Sequence, residues 1–386
     1  MRRAKLTPPG DPASQQLKPE ILPDGMPASR RRRPTELKLH RLPWTNDRSG
    51  TSFLSRYALV FLGLILIIVF SLALPSTFPT SRTVDSILSD QSTVAMLALG
   101  QMLVISVGQY DLSVGYAVGL LELLTVGLLF KSGIDWPIVI VIVLAAGALI
   151  GLINGLLVTV ARIDSFIATL GLGYFLFGID NWYSQGQQVI GTSFPTGLAN
   201  LNFSTIFGVP LPAVYVIVLA VILWVVMEYL PIGRYMYAIG SNRRAAELSG
   251  IRVRRYTIGA FIACSVIVAA AGVLLAAKLQ IGESDVGPEF LLPSFVGPLL
   301  GATALKPGRV NVWGTIVAVL VLGIGIAGLE QIGGAFYVDP LFDGGTLIVA
   351  VGAAGYAARR QLARRKKQDE ALAVAAATTG ADIQRQ

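Results

Sequence analysis

The sequence predicts an all-α polytopic membrane protein with about ten transmembrane helices, and three observations carry that prediction. Hydrophobic residues make up 53% of the 386 positions and charged residues only 14%, and the mean hydropathy is +0.64, a composition outside the range of ordinary soluble domains. Apolar runs near the length needed to cross the hydrocarbon, about 17 to 25 residues, recur along the chain. Arginine and lysine fall on alternate connections between those runs, the pattern that orients membrane helices.

The expected spans are 57–74, 87–107, 113–130, 137–160, 165–183, 211–230, 256–277, 292–304, 313–332 and 341–358. The eighth is too short to cross as a straight helix and is expected to be broken or partly spanning. With the N-terminus inside, an even number of spans returns the C-terminus to the same side. The inside then holds Arg30, Arg31, Arg32, Arg33, Arg162, Arg234, Arg243, Arg244, Arg252, Arg254, Arg255, Lys306, Arg309 and the basic cluster at 359–367. The outside holds Arg82, Lys131 and Lys278 against Asp85, Asp135, Glu283, Asp285, Glu289, Asp339 and Asp343. This asymmetry predicts an N-in, C-in arrangement. Three regions follow: a disordered basic cytoplasmic tail at 1–56, a transmembrane domain at 57–358 and a cytoplasmic tail at 359–386. The formal net charge of +8 is then accounted for by anionic lipid at the inner face, and no nucleic acid is needed.

The inventory also excludes chemistry. One cysteine (Cys264, in an apolar span) and one histidine (His40, in the polar tail) leave no zinc site, no HExxH helix and no disulfide framework. No GxxxxGK[ST] phosphate loop is present, so any ATP-driven step requires a separate chain. Gly147, Gly151 and Gly155 lie on one face of the fourth span, and Gly171 and Gly173 lie in the fifth; small residues so placed are expected to let helix backbones approach closely in lipid.

Carboxylates at membrane depth each require a reason. Glu228 is expected to reach water from a helix end, and Asp180 and Asn181 to lie near water at the outer end of the fifth span. Asp111 stands apart in "SVGQYDLSVG" (106–115). Gly108 permits an unusual turn, Asp111 and Ser113 can cap the open amides of a starting helix, and Gly115 lets that helix pack closely. Such a helix start is either structural or part of the lining of a translocation path, since broken helices at membrane depth are tolerated against protein or water.

Between the sixth and seventh spans, "GRYMYAIGSNRRAAELSGIRVRRY" (233–256) predicts a short inner-face helix over 243–248. Asn242 or Ser241 would cap it and Gly250 would end it. It would present Ala245, Ala246, Leu248 and Ile251 beside arginines, either to a soluble partner or to lipid.

With these segments in hand, the chain resembles the permease subunits of ribose-type ABC importers, which carry simple sugars and related small polar solutes. The resemblance rests on "GQYDLSVG" (108–115), "NGLLVTVARIDSFIATLG" (154–171), "GRYMYAIGSNRRAAELSGI" (233–251) and "LLGATALKPGRVNVWGT" (299–315), and it covers about 57–358. It implies a permease that pairs with a second copy or a paralogue around a central path, a cytoplasmic ATPase that holds ATP and Mg, and an external solute-binding protein. No cofactor is implied for this chain, and it is not itself an enzyme. By position, Asn242, Ala245, Ala246, Leu248, Ser249, Gly250 and Ile251 would form the cytoplasmic coupling helix between spans six and seven. Asp111, Leu112, Ser113 and Gly115, with Phe166, Thr169 and Leu170, would lie along the path. Gln109 and Tyr110 depart from the small or apolar pair usual before the aspartate, and Ala302 and Pro307 depart from the usual turn after the eighth span. A cation-driven secondary transporter using Asp111, Glu122 or Glu330 leaves the 233–251 loop unexplained. An intramembrane aspartyl protease would need a second Gly-x-Gly-Asp, which the sequence lacks.

Overall fold

A computed structural model describes residues 50–334 continuously, with 337, 338, 340–346, 348 and 352, and its side chains from Tyr57 onward. The expected tails and most of the tenth span lie outside the described residues.

Helix α1 (Gly50–Ala73) turns a row of large apolar side chains outward, among them Leu64, Ile65, Ile68 and Leu72. Its Leu59 packs against Ala318 and Val321 of α12 (Val312–Gln331). Thr80 then starts α2 (Ser81–Ser106) by accepting the amide of Thr83 at 3.3 Å. Helix α2 begins six residues before the apolar run predicted from 87, because this cap, and not hydropathy, sets its start.

Among the described residues, five helices are long and apolar enough to cross a membrane: α2, α4 (Trp136–Thr159), α7 (Leu211–Glu228), α10 (Val253–Leu279) and α12. The stretch 57–73 of α1 and helix α3 (Val114–Phe130) are shorter and apolar. Among the five, α2 is the least apolar and the most buried, with 72% of its apolar window inside against 28% for α4. In lipid the outward faces can be wholly apolar, so the helices at the centre are the ones that carry Ser92, Thr93 and Gln101.

Helices α4 and α10 form the tightest pair. Added Cβ atoms at Gly147, Gly151 and Gly155 would sit 2.6 Å from the carbonyl of Ser265, 2.5 Å from that of Phe261 and 2.9 Å from the Cα of Ile258. Backbone cannot swing aside as a side chain can, so these three positions must be glycine for the helices to meet at this distance. In α5 (Ser165–Ser184) the expectation divides. A Cβ at Gly173 would collide with the Tyr116 ring and approach the Cα of Ser113, whereas around Gly171 there is nothing within 4 Å. Gly171 lies on the exposed side of α5, so close packing within the chain is not its reason.

After α5 the chain forms α6 (Thr196–Phe203) and a two-residue hairpin, Thr205–Ile206 against Val209–Pro210. This strand pair is a small correction to the all-α expectation. Phe207 and Gly208 both take positive φ (51° and 79°), the backbone of a tight I′ turn, and a phenylalanine in the left-handed region gives no sequence signal. Beyond α7 come α8 (Pro231–Ser241) and α9 (Arg243–Leu248), then α10. A 3-10 turn at Gly287–Phe290 leads into α11 (Leu291–Gly301). Helix α11 occupies the expected eighth span and is only 11 residues long with Pro298 inside it. Asn311 caps α12 by accepting the amide of Gly314 at 2.8 Å.

Candidate functional site

Helix α2 closes with the amides of Gly108 and Gln109 donating back to Ile105 and Val104 at 2.9 and 3.1 Å. Gly108 sits at φ 73°, a left-handed conformation that glycine adopts without strain. The chain then runs as a non-helical turn to Ser113, the residue before α3. Asp111 is fully buried in it. Its Oδ1 accepts from the Ser113 amide at 3.0 Å, the Ser113 hydroxyl at 2.5 Å and Asn154 Nδ2 at 3.3 Å, while the same Asn154 amide lies 2.8 Å from Ser113 Oγ. Three neutral donors thus hold the carboxylate, which suits a buried acid with no cation beside it among the described residues. The Ser113 side chain makes no cap of its own; contrary to the expected double cap, Asp111 alone covers a free amide there.

Helix α5 bolts the other side of the turn. The Tyr110 amide donates to Ser165 Oγ at 3.2 Å and the Leu112 amide to Thr169 Oγ1 at 2.8 Å, and that hydroxyl donates to the Ser165 carbonyl at 2.7 Å. The turn is therefore tied to α4 and α5 through side chains 41 to 57 residues away. Of the predicted path residues, Asp111, Ser113, Gly115 and Thr169 are buried and Leu112 and Leu170 half-buried, while Phe166 is exposed. A Cβ on Gly115 would lie 2.9 Å from the Leu291 amide at the start of α11. Tyr110 reaches the same helix, its ring 6.3 Å from that of Phe295. Sequence reasoning missed Ser165 as a partner of the turn, although its place at the start of α5, four residues before Thr169, was a readable signal.

A second polar group lies halfway along α3. Glu122 is fully buried and its Oε2 accepts the Glu283 amide at 3.2 Å. Asp180 is 2% exposed, which corrects the expectation that it lies near water: α3 and the loop after α10 cover it. Glu122 Oε1, Asp180 Oδ1 and both amide atoms of Gln101 have no hydrogen-bond partner among the described residues. No group of three or more His, Cys, Asp or Glu able to hold a metal occurs among those residues. A cavity of about 440 Å³ opens between α2, the 3-10 turn, α11 and α12, lined by Asp90, Gln91, Glu289, Phe290, Leu322 and Ile326 among others.

The loop between α7 and α10 folds as α8 and α9. Asn242 Oδ1 accepts the Ala245 amide at 3.0 Å, and Gly250, at φ 80°, turns the chain out of α9. Leu248 is 79% exposed whereas Ala246 is buried at 4%. Ala246 therefore belongs to the inner face of α9, a correction to the expected presenting surface, because a two-turn helix lying on the bundle must bury one side. Glu228, at the end of α7, keeps its side chain partly open to solvent and is paired with Arg309 at 2.6 and 2.9 Å and with Lys306 at 2.7 Å. Arg309 also stacks 4.4 Å over the Tyr237 ring, and the Tyr237 hydroxyl donates to the Val310 carbonyl at 3.0 Å.

Residues 83–351 match the family model described as the permease component of branched-chain amino acid transport systems. The chain is 31% identical to the ribose import permease protein of Bacillus subtilis over 291 residues, 75% of this chain and 90% of the relative. It is 30% identical to the D-allose transport system permease protein of Escherichia coli, over 78% of this chain and 91% of the relative. It is 32% identical to the autoinducer 2 import system permease protein of Salmonella paratyphi B, over 68% and 80%. No solved structure matches the chain.

Proposed function

The chain belongs to this family of transport permease components and is a multi-pass protein of the plasma membrane, and from that premise we propose that it is the membrane subunit of an ATP-driven importer for a neutral monosaccharide or polyol. The sugar class is supported by the named solutes of two of the relatives, ribose and allose. It is supported also by the Asp111 turn, where only neutral donors meet the carboxylate; a zwitterionic amino acid would call for a charged partner of each sign.

The proposed topology has ten spans with both termini inside, supported by the placement of the arginines. On that topology α9 is the coupling helix. The observation that carries the reading is its build: a helix capped by Asn242, closed by Gly250, with Leu248 projecting. Leu248 and the exposed side of Ala245, with Ser249, Gly250 and Ile251, are the surface offered to a cytoplasmic ATPase that binds ATP and Mg. Closure of two such ATPases would draw in the coupling helices of two permease copies and switch the path between inward-facing and outward-facing states. The path is proposed to run past Asp111, Leu112, Ser113, Gly115, Phe166, Thr169 and Leu170, and an external binding protein would deliver solute at the acidic outer loop 282–289.

The test is affinity purification of the tagged chain from its native membranes in mild detergent, with mass spectrometry of stoichiometric partners. Recovery of an ABC-type ATPase and a solute-binding protein is the expected result. Repeated recovery of the permease without an ATPase, even after crosslinking at Leu248→Cys, would refute the ATP-driven reading.

A further inference from the structure

Two glycines from distant parts of the chain meet where α8 crosses the end of α2. A Cβ on Gly240 would run into the carbonyl oxygen of Ser106 and lie 3.1 Å from its carbonyl carbon and 3.3 Å from the Gly108 amide nitrogen. Reciprocally, a Cβ on Gly108 would lie 3.4 Å from the Cα of Gly240. The contact is backbone on backbone, with no side chain between the two to bend and absorb a shift.

Each side of this contact is stiff. On the loop side, α8 buries Met236 and Ile239, and the Asn242 amide donates to the Ala238 carbonyl at 3.1 Å. Asn242 also caps α9, so the two short helices share a junction with little freedom. On the membrane side, Gly108 opens the turn that leads into α3 and is pinned to α4 and α5 by the bonds of Asp111 to Asn154, of the Tyr110 amide to Ser165 and of the Leu112 amide to Thr169. A second connection runs from α8 to the start of α12. The Tyr237 hydroxyl holds the Val310 carbonyl, and Arg309, clamped to Glu228, covers the Tyr237 ring.

We infer that Gly240 is a transmission residue: displacement of α9 passes through the Gly240 backbone into the Asp111 turn, and through Tyr237 into the head of α12, so that the loop moves helices it is not covalently next to. Packed elements have discrete arrangements and do not deform continuously, so a contact without slack shifts its partner as a body. The inference rests on the transporter reading and adds to it where the force goes: into the turn between α2 and α3 and the start of α12, not only along α7 and α10, which flank the loop in the chain.

The experiment reconstitutes the full complex in liposomes and measures ATP hydrolysis and solute uptake in parallel for the parent, Gly240→Ala, Tyr237→Phe and, as a control, Gly259→Ala, a glycine with open space around it. Gly240→Ala is expected to keep hydrolysis near the parental rate while uptake per ATP falls about 3- to 30-fold, the range of coupling energies at such contacts. Tyr237→Phe, which adds no volume, is expected to shift the same ratio in the same direction, and Gly259→Ala to leave it unchanged. Parental uptake per ATP in Gly240→Ala overturns the inference. Should Gly240→Ala not assemble, spin labels at Leu248→Cys and Tyr110→Cys decide it without touching the contact. Their separation is expected to stay within about 2 Å between nucleotide-free and ATP-bound states, and a change near one helical turn, about 5 Å, overturns the inference. A parental complex with no ATP-dependent uptake instead removes the transporter reading, and this inference with it.

Discussion

Replacing Thr169 with valine probes the bolt between α5 and the Asp111 turn. Valine matches threonine in shape and volume, so a fully buried site is neither emptied nor overfilled. Three contacts are lost: the Leu112 amide's bond to Thr169 Oγ1, that hydroxyl's bond to the Ser165 carbonyl, and its long 3.4 Å contact with the Tyr110 carbonyl; the donor they strand is the Leu112 amide. The Ser165 carbonyl keeps its helical partner, the amide of residue 169, whereas the Leu112 amide loses the acceptor it has in Thr169 Oγ1, 2.8 Å away. An orphaned buried amide costs about 1 to 3 kcal/mol in water-soluble proteins, while polar contacts between membrane helices average about 0.6 and reach about 1.7 kcal/mol. Because the stranded group is backbone held in a fixed turn, the upper membrane value applies, about 1.5 kcal/mol, or roughly tenfold in the opening equilibrium. Hydrogen exchange of the 108–113 segment in detergent or nanodiscs reads this directly: Thr169→Val is expected to exchange about tenfold faster there, and Thr169→Ser, which keeps the hydroxyl, at close to the parental rate. Equal protection of the segment in parent and Thr169→Val would refute the reasoning.

Two further outcomes follow from the glycines and the cap. Gly151→Ala is expected to yield little folded protein by fluorescence-detected gel filtration, since its Cβ meets backbone of α10 at 2.5 to 2.8 Å, while Gly171→Ala, with nothing within 4 Å, yields the parental amount; comparable yields of the two would count against the α4 and α10 packing. Asn242→Ala removes the cap on α9, worth about 1 kcal/mol, and Gly250→Val forces a β-branched residue to φ 80°, costing about 1 to 3 kcal/mol. Both variants are expected to weaken co-purification of the ATPase about five- to tenfold or more while the purified permease melts near the parental temperature, because the strain is confined to a surface helix; undiminished recovery of the ATPase would remove α9 from the docking surface.

The long apolar helices were legible because lipid imposes length and composition on them, and α11 announced itself as too short for the same reason. The Asn242 cap and the Gly250 stop were legible because each is a local rule with one residue type. What the sequence hid was everything set by tertiary contact. Nothing in "GLGYFLFG" tells Gly173, pressed on Tyr116, from Gly171, which touches nothing. Asp180 reads as a residue near a helix end until the loop after α10 is seen to cover it. Asn154 is one amide among several in the sequence, and only the fold brings it 43 residues back to Asp111.

That last separation bears on how the chain is made. When α2 and α3 enter the bilayer, Asp111 has only Ser113 for company, since Asn154 is still 43 residues behind and Thr169, which holds the Leu112 amide, 57 behind that residue. The α2–α3 hairpin therefore emerges from the ribosome with Asp111 short of its Asn154 donor and the Tyr110 and Leu112 amides short of their acceptors, and all three are satisfied only when α4 and α5 arrive. Biogenesis is therefore expected to include a waiting step: the early helices would stay beside the insertion machinery or near the headgroups until their later partners are synthesised, and the four helices from α2 to the first turns of α5, with the turn they enclose, would settle into the membrane as a single cohort.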